Sequence, residues 1–196
     1  MRRDYTDRFI TMHLPDINEV MQRVEPYLDI WDQVLRHGHD VYQGYPAEVV
    51  LEHDVSAQAH CTNRHILAEA HRVFAELPGV LHFEVRRQSL WLFEQANAVV
   101  RLKKTDEDGV SSNYPTEQAK AFDRGEDLPG LPGLPSGPTR LTVGYLLDMT
   151  GSEYIRSQVS LPIGGGVGWC AAIVPFAMRS EDEAAWHEVT RQPRIA

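Results

Sequence analysis

At 196 residues, with 42% hydrophobic and 24% charged side chains, the chain is long enough for one sizeable core and has an ordinary globular composition. Its formal net charge of −9 argues against gross electrostatic attraction to nucleic acid or anionic membranes. No apolar run approaches the roughly 20 residues that cross a bilayer, and MRRDYTDRF lacks the apolar stretch of a secretory signal. The two cysteines, Cys61 and Cys170, form no CxxC and read as buried thiols of a reducing, cytoplasmic compartment.

Residues 8–13 have the pattern of a short edge strand. Asp16 then stands as a helix N-cap, with Glu19 three positions on to complete a capping box. Ile17, Val20, Met21, Val24, Leu28, Trp31 and Leu35 follow at helical spacing, and Pro26 within them predicts a kink or a junction of two helices. Gly38, between His37 and His39, has the form of a left-handed cap that ends the run. Tyr45-Pro46 opens a short helical element through Glu52, and Asp54 caps a longer helix, Val55 to Glu76. That helix would bury Ala59, Ile66, Ala70, Val73 and Leu77, leaving His53, His60, Arg64 and His71 along its other edge.

Pro78-Gly79 turns the chain into a stretch of strands. Leu81, Phe83 and Val85 alternate with His82, Glu84 and Arg86, the period of two that sends successive side chains to opposite faces. Leu90 to Phe93 is bulky throughout, as in a central strand covered on both sides. Ala98, Val100 and Leu102 then alternate with Val99, Arg101 and Lys103. The connections between these three segments are short enough only for antiparallel hairpins.

The segment 105–139 is long, acidic at its start and repetitive at its end (LPGLPGLPSGP), with a short helix expected from Thr116 to Phe122. A connection of this length inside one domain is usually functional or mobile. Strand patterns resume at Arg140 to Asp148, Ile155 to Leu161 and Val167 to Val174. Thr150-Gly151-Ser152 reads as a turn and Gly164 to Gly166 as a hairpin loop. A last helix is expected around Glu181 to Val189. The predicted architecture is α+β: one domain over 1–196, with an antiparallel sheet of about six strands. Its helical half (1–79) packs on one face, the loop 105–139 is inserted in the sheet region 80–177, and a tail (178–196) closes the chain.

On that sheet the face away from the helices would collect His82, Glu84, Arg86, Arg101, Lys103, Arg140, Thr142, Arg156 and Gln158, a basic cluster on an acidic chain. Guanidinium groups match phosphate oxygens in a bidentate fashion. Arg86, Arg101, Lys103, Arg140 and Arg156 are therefore the expected contacts to a phosphate-bearing ligand or nucleic acid. Tyr114 or Trp91 would stack, and Asn113, Tyr114 and Thr116 would form a recognition loop. The plainer alternative is that these bases pair with Glu84, Glu94 and the acidic loop.

The reading is of a non-enzymatic regulatory or accessory protein with no cofactor, no bound metal and no catalytic residue. One rival is a protein-interaction subunit of a regulatory or defence assembly of the toxin–antitoxin kind, docking a partner through its acidic loops and LPGLPGLP. Another is a metal-dependent nuclease built from Glu52 or Glu69, Glu84, Glu94 and Lys103, though Glu84-Val-Arg86 is only a loose echo of a catalytic Glu-x-Lys. The nine histidines include no HExxH and no helical pair at i, i+4 that would chelate zinc. Cys61 diverges in direction from His60 and forms no dyad, and Ser152 lacks a nucleophile elbow.

Overall fold

A computed structural model of the chain describes residues 14–85, 88–111, 121–124, 137–164 and 166–190. The strand expected at 8–13 lies outside them. Asp16 caps helix α1 (Ile17–Val24), its carboxylate accepting from the backbone amides of Asn18 and Glu19 at 2.9 and 3.1 Å. Pro26 sits in a 3-10 turn, Glu25–Tyr27, that joins α1 to α2 (Leu28–Gln43), so two helices meet where the proline predicts a break. Val20, Met21, Val24, Leu28, Trp31 and Leu35 are all buried, as their spacing requires.

Helix α2 does not end at His37-Gly38-His39. It runs on to Gln43 because Gly38 is the point at which it crosses α4 (Val55–Phe74). A β-carbon there would lie 2.3 Å from Ile66 Cγ1 and 2.6 Å from the Ile66 backbone nitrogen. The glycine is needed for close approach, not for a left-handed cap. Between these helices lies the short α3 (Ala47–Leu51), and Asp54 caps α4 by accepting from Ala57 N at 2.7 Å.

The sheet has seven strands in sequence order: β1 (Val80–Val85), β2 (Gln88–Phe93), β3 (Ala98–Lys104), β4 (Thr139–Leu147), β5 (Tyr154–Ile163), β6 (Gly166–Ile173) and β7 (Trp186–Glu188). All neighbours are antiparallel except β3 and β4, which run parallel from Ala98↔Thr139 to Lys104↔Tyr145. Parallel neighbours need a crossover of a dozen residues or more. The 105–138 connection is that crossover. The seventh strand replaces the helix expected around 181–189. Val189 N donates to Cys170 O at 2.8 Å and Val174 N to Ala185 O at 2.9 Å, so the tail satisfies the free edge of β6.

Helices cover one face of the sheet. There Trp31 meets Phe93 edge-on at 5.2 Å, and Tyr27 meets the same ring at 4.8 Å. Such pairs add about 0.5–1.5 kcal/mol each beyond their buried area. A polar network fixes α2 to β5 inside this layer. Asp32, only 4% exposed, accepts from Arg36 Nε at 2.8 Å and from Ser157 Oγ at 2.6 Å. With the Ser157 proton committed to Asp32, the Tyr154 hydroxyl donates to Ser157, and Arg36 lies over the Tyr154 ring.

The crossing at Gly38 tests this packing. Gly38→Ala pushes a methyl group into backbone atoms that cannot swing aside, and should cost about 2 kcal/mol or more. Urea denaturation should show a lower midpoint with an unchanged slope, whereas wild-type stability would mean that the helices slide apart freely.

Candidate functional site

The β3 alternation sends Val100 and Leu102 into the helix layer and Val99, Arg101 and Lys103 to the opposite face. Strand register adds Arg140 and Thr142 from β4, and Arg156, Gln158 and Ser160 from β5. Four of the five expected phosphate contacts therefore share one face: Arg101, Lys103, Arg140 and Arg156. The fifth, Arg86, and the loop residues Asn113, Tyr114 and Thr116 lie outside the described residues.

His82 and Glu84 do not join them. His82 is paired with Trp91, which belongs to the helix layer, and its ring lies 4.3 Å from that of His71 on α4. The apolar side of β1 faces away from the helices instead. Phe83 and Val85 pack there against a second, smaller core of Leu90, Leu92, Val99 and Phe122. Both faces of β2 are thus covered, as its bulky run predicts.

The basic face is roofed. After β3 the chain folds back as a tight loop closed by a bridge between Thr105 and Ser111. Gln158 Nε2 donates to Thr105 Oγ1 and to the Asp106 carbonyl at 2.9 and 2.7 Å, Ser160 Oγ to the Gly109 carbonyl at 2.8 Å, and Arg156 to the Glu107 carbonyl at 2.9 Å. Gly109, with φ +83°, lies so flat on the sheet that a β-carbon would come within 2.7 Å of Cys170 Sγ. Beneath it the Cys170 thiol is pushed up to about 12 by burial, which leaves it unreactive.

A second roof element, the helical turn at 121–124, covers β3 and β4. Arg140 donates to the Ala121 and Phe122 carbonyls at 3.1 and 3.4 Å. Arg101 sits beneath the Phe122 ring, its guanidinium carbon 4.5 Å from the centroid. Its side chain is 2% exposed. Nε donates to Thr142 Oγ1 at 2.9 Å, and Nη2 to Asp123 Oδ1 at 2.6 Å and Ser111 Oγ at 3.3 Å. The remaining nitrogen, Nη1, is buried with no partner among the described residues.

Two residues along the same strand face, Lys103 is mostly shielded from water. Burial, and then the neighbouring Arg101 guanidinium, hold its ammonium below the usual lysine range. Among the described residues no carboxylate pairs with it. Among the described residues two cations, Arg101 and Lys103, thus face one anion, Asp123, in a low-dielectric layer, a surplus of one positive charge. A buried guanidinium nitrogen without an acceptor and an ammonium without a counterion are the complement of an oxyanion.

The other chemistries read from the sequence do not assemble. Glu84 and Lys103 lie on opposite faces of the sheet, and Glu69 is engaged with Arg72 at 2.6 Å, so Glu84 and Lys103 do not meet at one site. Among the described residues no group of three or more His, Cys, Asp or Glu is placed to hold a metal ion. Of the helix-edge histidines, His53 contacts the Tyr42 hydroxyl at 3.2 Å and His71 meets the His82 ring at 4.3 Å; His65, off that edge, contacts the Tyr45 hydroxyl at 2.7 Å. Ser152 belongs to a turn in which Asp148 accepts from the Thr150 hydroxyl first and then from the turn amides, which holds that carboxyl down at about 2.

Asp123 is a site residue that no local motif in the sequence marks. Its signal was topological, because a crossover between parallel strands must pass over a sheet face. No protein-family model matches the chain, nor does any curated protein or solved structure.

Two substitutions separate site residues from structural ones. Lys103→Met removes an uncompensated, half-buried charge and should stabilise the ligand-free protein by about 1 kcal/mol, the scale of trade-offs between stability and function. Arg101→Met strands Asp123 and should cost about 3–5 kcal/mol. Thermal and denaturant melts of both variants decide. A destabilised Lys103→Met protein would show Lys103 to be structural.

The His71–His82 contact makes a separate prediction. Burial, then the charge of His71, hold His82 below the ordinary histidine value, with Glu84 opposing. The unfolded chain therefore takes up this proton first, and stability should fall as pH drops through the unfolded value of about 6.5. His82→Gln should flatten that part of the stability curve, measured by denaturant melts between pH 7.5 and 5.5.

Proposed function

We propose that the chain is a non-catalytic binding protein of regulatory or accessory type that holds a small phosphate-bearing ligand against the roofed face of its sheet. Arg101 and Lys103 supply the phosphate contacts. One observation supports this reading: the surplus positive charge among the described residues, where Arg101 Nη1 has no partner at a side chain only 2% exposed. Thr142 and Ser111 orient the guanidinium, so the fork is preorganised and little side-chain entropy is lost when an anion docks.

A small ligand fits this face better than a nucleic-acid strand. Polymers are tracked by exposed basic grooves with open stacking rings. Here Arg140 and Arg156 bond roof carbonyls, Arg101 is covered by Phe122, and Trp91 is buried on the helix side. The net charge of −9 adds repulsion at long range.

A second reading, that of a protein-interaction subunit, has its own support. Gln58 on α4 donates to the Gly151 carbonyl at 2.8 Å, which brings the β4–β5 turn against the start of that helix. Leu51, Val55 and Met149 stand around this end, 87%, 75% and 105% exposed. Exposed apolar groups gathered at one end are a feature of association surfaces. Light scattering after size exclusion tests self-association, and a monomer at all concentrations would remove a second copy as the occupant.

Calorimetric titration with inorganic phosphate, a nucleoside monophosphate and short single- and double-stranded DNA and RNA tests the first reading. The small phosphates should bind and raise the melting temperature, and Lys103→Met should weaken them about tenfold or more. The nucleic acids should show no binding at physiological salt. Absence of phosphate binding at millimolar concentration, or binding indifferent to Lys103→Met, would refute it.

A further inference from the structure

We infer that the site takes a doubly charged phosphomonoester, or free phosphate, in exchange for the Asp123 carboxylate, and that this exchange releases the 121–124 turn from the sheet. The inference rests on the phosphate-binding reading above and adds the class of ligand and the way the site is gated. With Asp123 in place, the cluster of Arg101, Lys103 and Asp123 carries one net positive charge. With Asp123 withdrawn it carries two, which matches the charge of a phosphomonoester near pH 7.

The geometry favours exchange. Asp123 reaches Arg101 through a single contact, Oδ1 to Nη2 at 2.6 Å, while the adjacent Nη1 stays empty. A phosphate can offer parallel oxygens to both nitrogens, whereas the aspartate in this pose serves one. Asp123 is also the outer member of the pair, its side chain 15% exposed against 2% for Arg101. A dissolved anion therefore meets Asp123 before the guanidinium. Carboxylate and phosphate compete for one donor, and the winner decides whether the turn stays docked.

The other attachments of the turn do not involve the Asp123 carboxylate. Phe122 is buried in the small core of Leu90, Leu92 and Val99, and Arg140 holds the Ala121 and Phe122 carbonyls. Loss of the Asp123 carboxylate tie leaves these contacts, together with the Gly164 amide bond to the Asp123 carbonyl at 3.1 Å, to hold it. Ligand binding would thus be signalled on the surface by one short segment, as in switches that order or release a loop through charge pairing.

Asp123→Asn tests the exchange. The asparagine keeps the shape and its carbonyl still accepts from Arg101, so the fold is retained while the competing charge is removed. Three probes are titrated by calorimetry: inorganic phosphate, glycerol 3-phosphate and dimethyl phosphate, a singly charged diester. Hydrogen exchange of the 121–124 amides is followed in the wild-type protein.

The expected result is about tenfold tighter binding of phosphate or glycerol 3-phosphate to Asp123→Asn, a much weaker response to the diester, and faster wild-type exchange at 121–124 on adding the ligand. Preference between the first two probes identifies the source of the phosphate group. Wild-type binding that Asp123→Asn leaves unchanged or weakens, or that leaves 121–124 exchange untouched, would overturn the exchange and leave phosphate binding standing. Failure of both proteins to bind any probe would overturn both.

Discussion

A guanidinium in the middle of a sheet is expensive to bury, and the architecture of the second face follows from how that cost is met. Arg101 sits on β3, beside the only parallel pair among the described strands. Taking such an ion out of water costs several kcal/mol unless its hydrogens find acceptors. The strands supply one acceptor, Thr142; the rest must come from above the sheet. The β3–β4 crossover is the segment that can reach, and it delivers Ser111, Asp123 and the face of Phe122. The parallel pairing, the roof and the buried cation are mutually dependent. Without the crossover, Arg101 would lie on an open face; without Arg101, the 121–124 turn would lose its ionic tie to the sheet.

The same dependence explains why the remaining bases of this face are poor candidates for direct ligand contact. Arg140 and Arg156 spend their donors on backbone carbonyls of the roof, and Gln158 and Ser160 do likewise. Carbonyls of an irregular loop lying on a sheet need donors, since an unmet buried acceptor is costly. A row of basic and amide side chains is a ready supply. What reads in sequence as a phosphate-binding strip is in large part the hydrogen-bonding bed for a loop.

Much of the fold was legible because its signals are local. The Asp16 and Asp54 caps, the break at Pro26 and the alternation of β3, β4 and β5 each depend on residues within a few positions of one another. Tertiary choices were not legible. Gly38 between two histidines looks like a cap until Ile66, distant in sequence, is seen lying on it. Strand β1 alternates cleanly, but alternation does not say which side faces the helices. Its partner β2 is apolar on both sides, so Phe83 and Val85 had an apolar environment either way; the second core took them and left Leu81 exposed. The tail forms a strand because β6 has an edge to fill, a demand that nothing in Glu181 to Val189 announces. At the site, parity placed Arg101, Lys103, Arg140 and Arg156 together correctly, while their partners came from a crossover whose path no periodicity describes.

The two faces of the sheet bury the same kind of ion pair, and the difference between them is informative. Toward the helices, Asp32 is answered by Arg36 and Ser157, Ser157 by Tyr154, and the Arg36 side chain reaches solvent. Each charge is matched, and the network does what a structural network does: it fixes α2 to β5. Toward the roof, among the described residues, Arg101 is answered by Asp123 with a nitrogen left over, and Lys103 stands beside it unanswered. A chain that completes one buried network has the means to complete another; an acid opposite Lys103 or an apolar residue in its place would have sufficed. Like charges set two residues apart in a shielded layer destabilise the free protein. A locally unfavourable arrangement inside an otherwise consistent fold is where function is expected. What relieves this one is an anion, and the only described carboxylate on hand already occupies the guanidinium and neutralises half the charge.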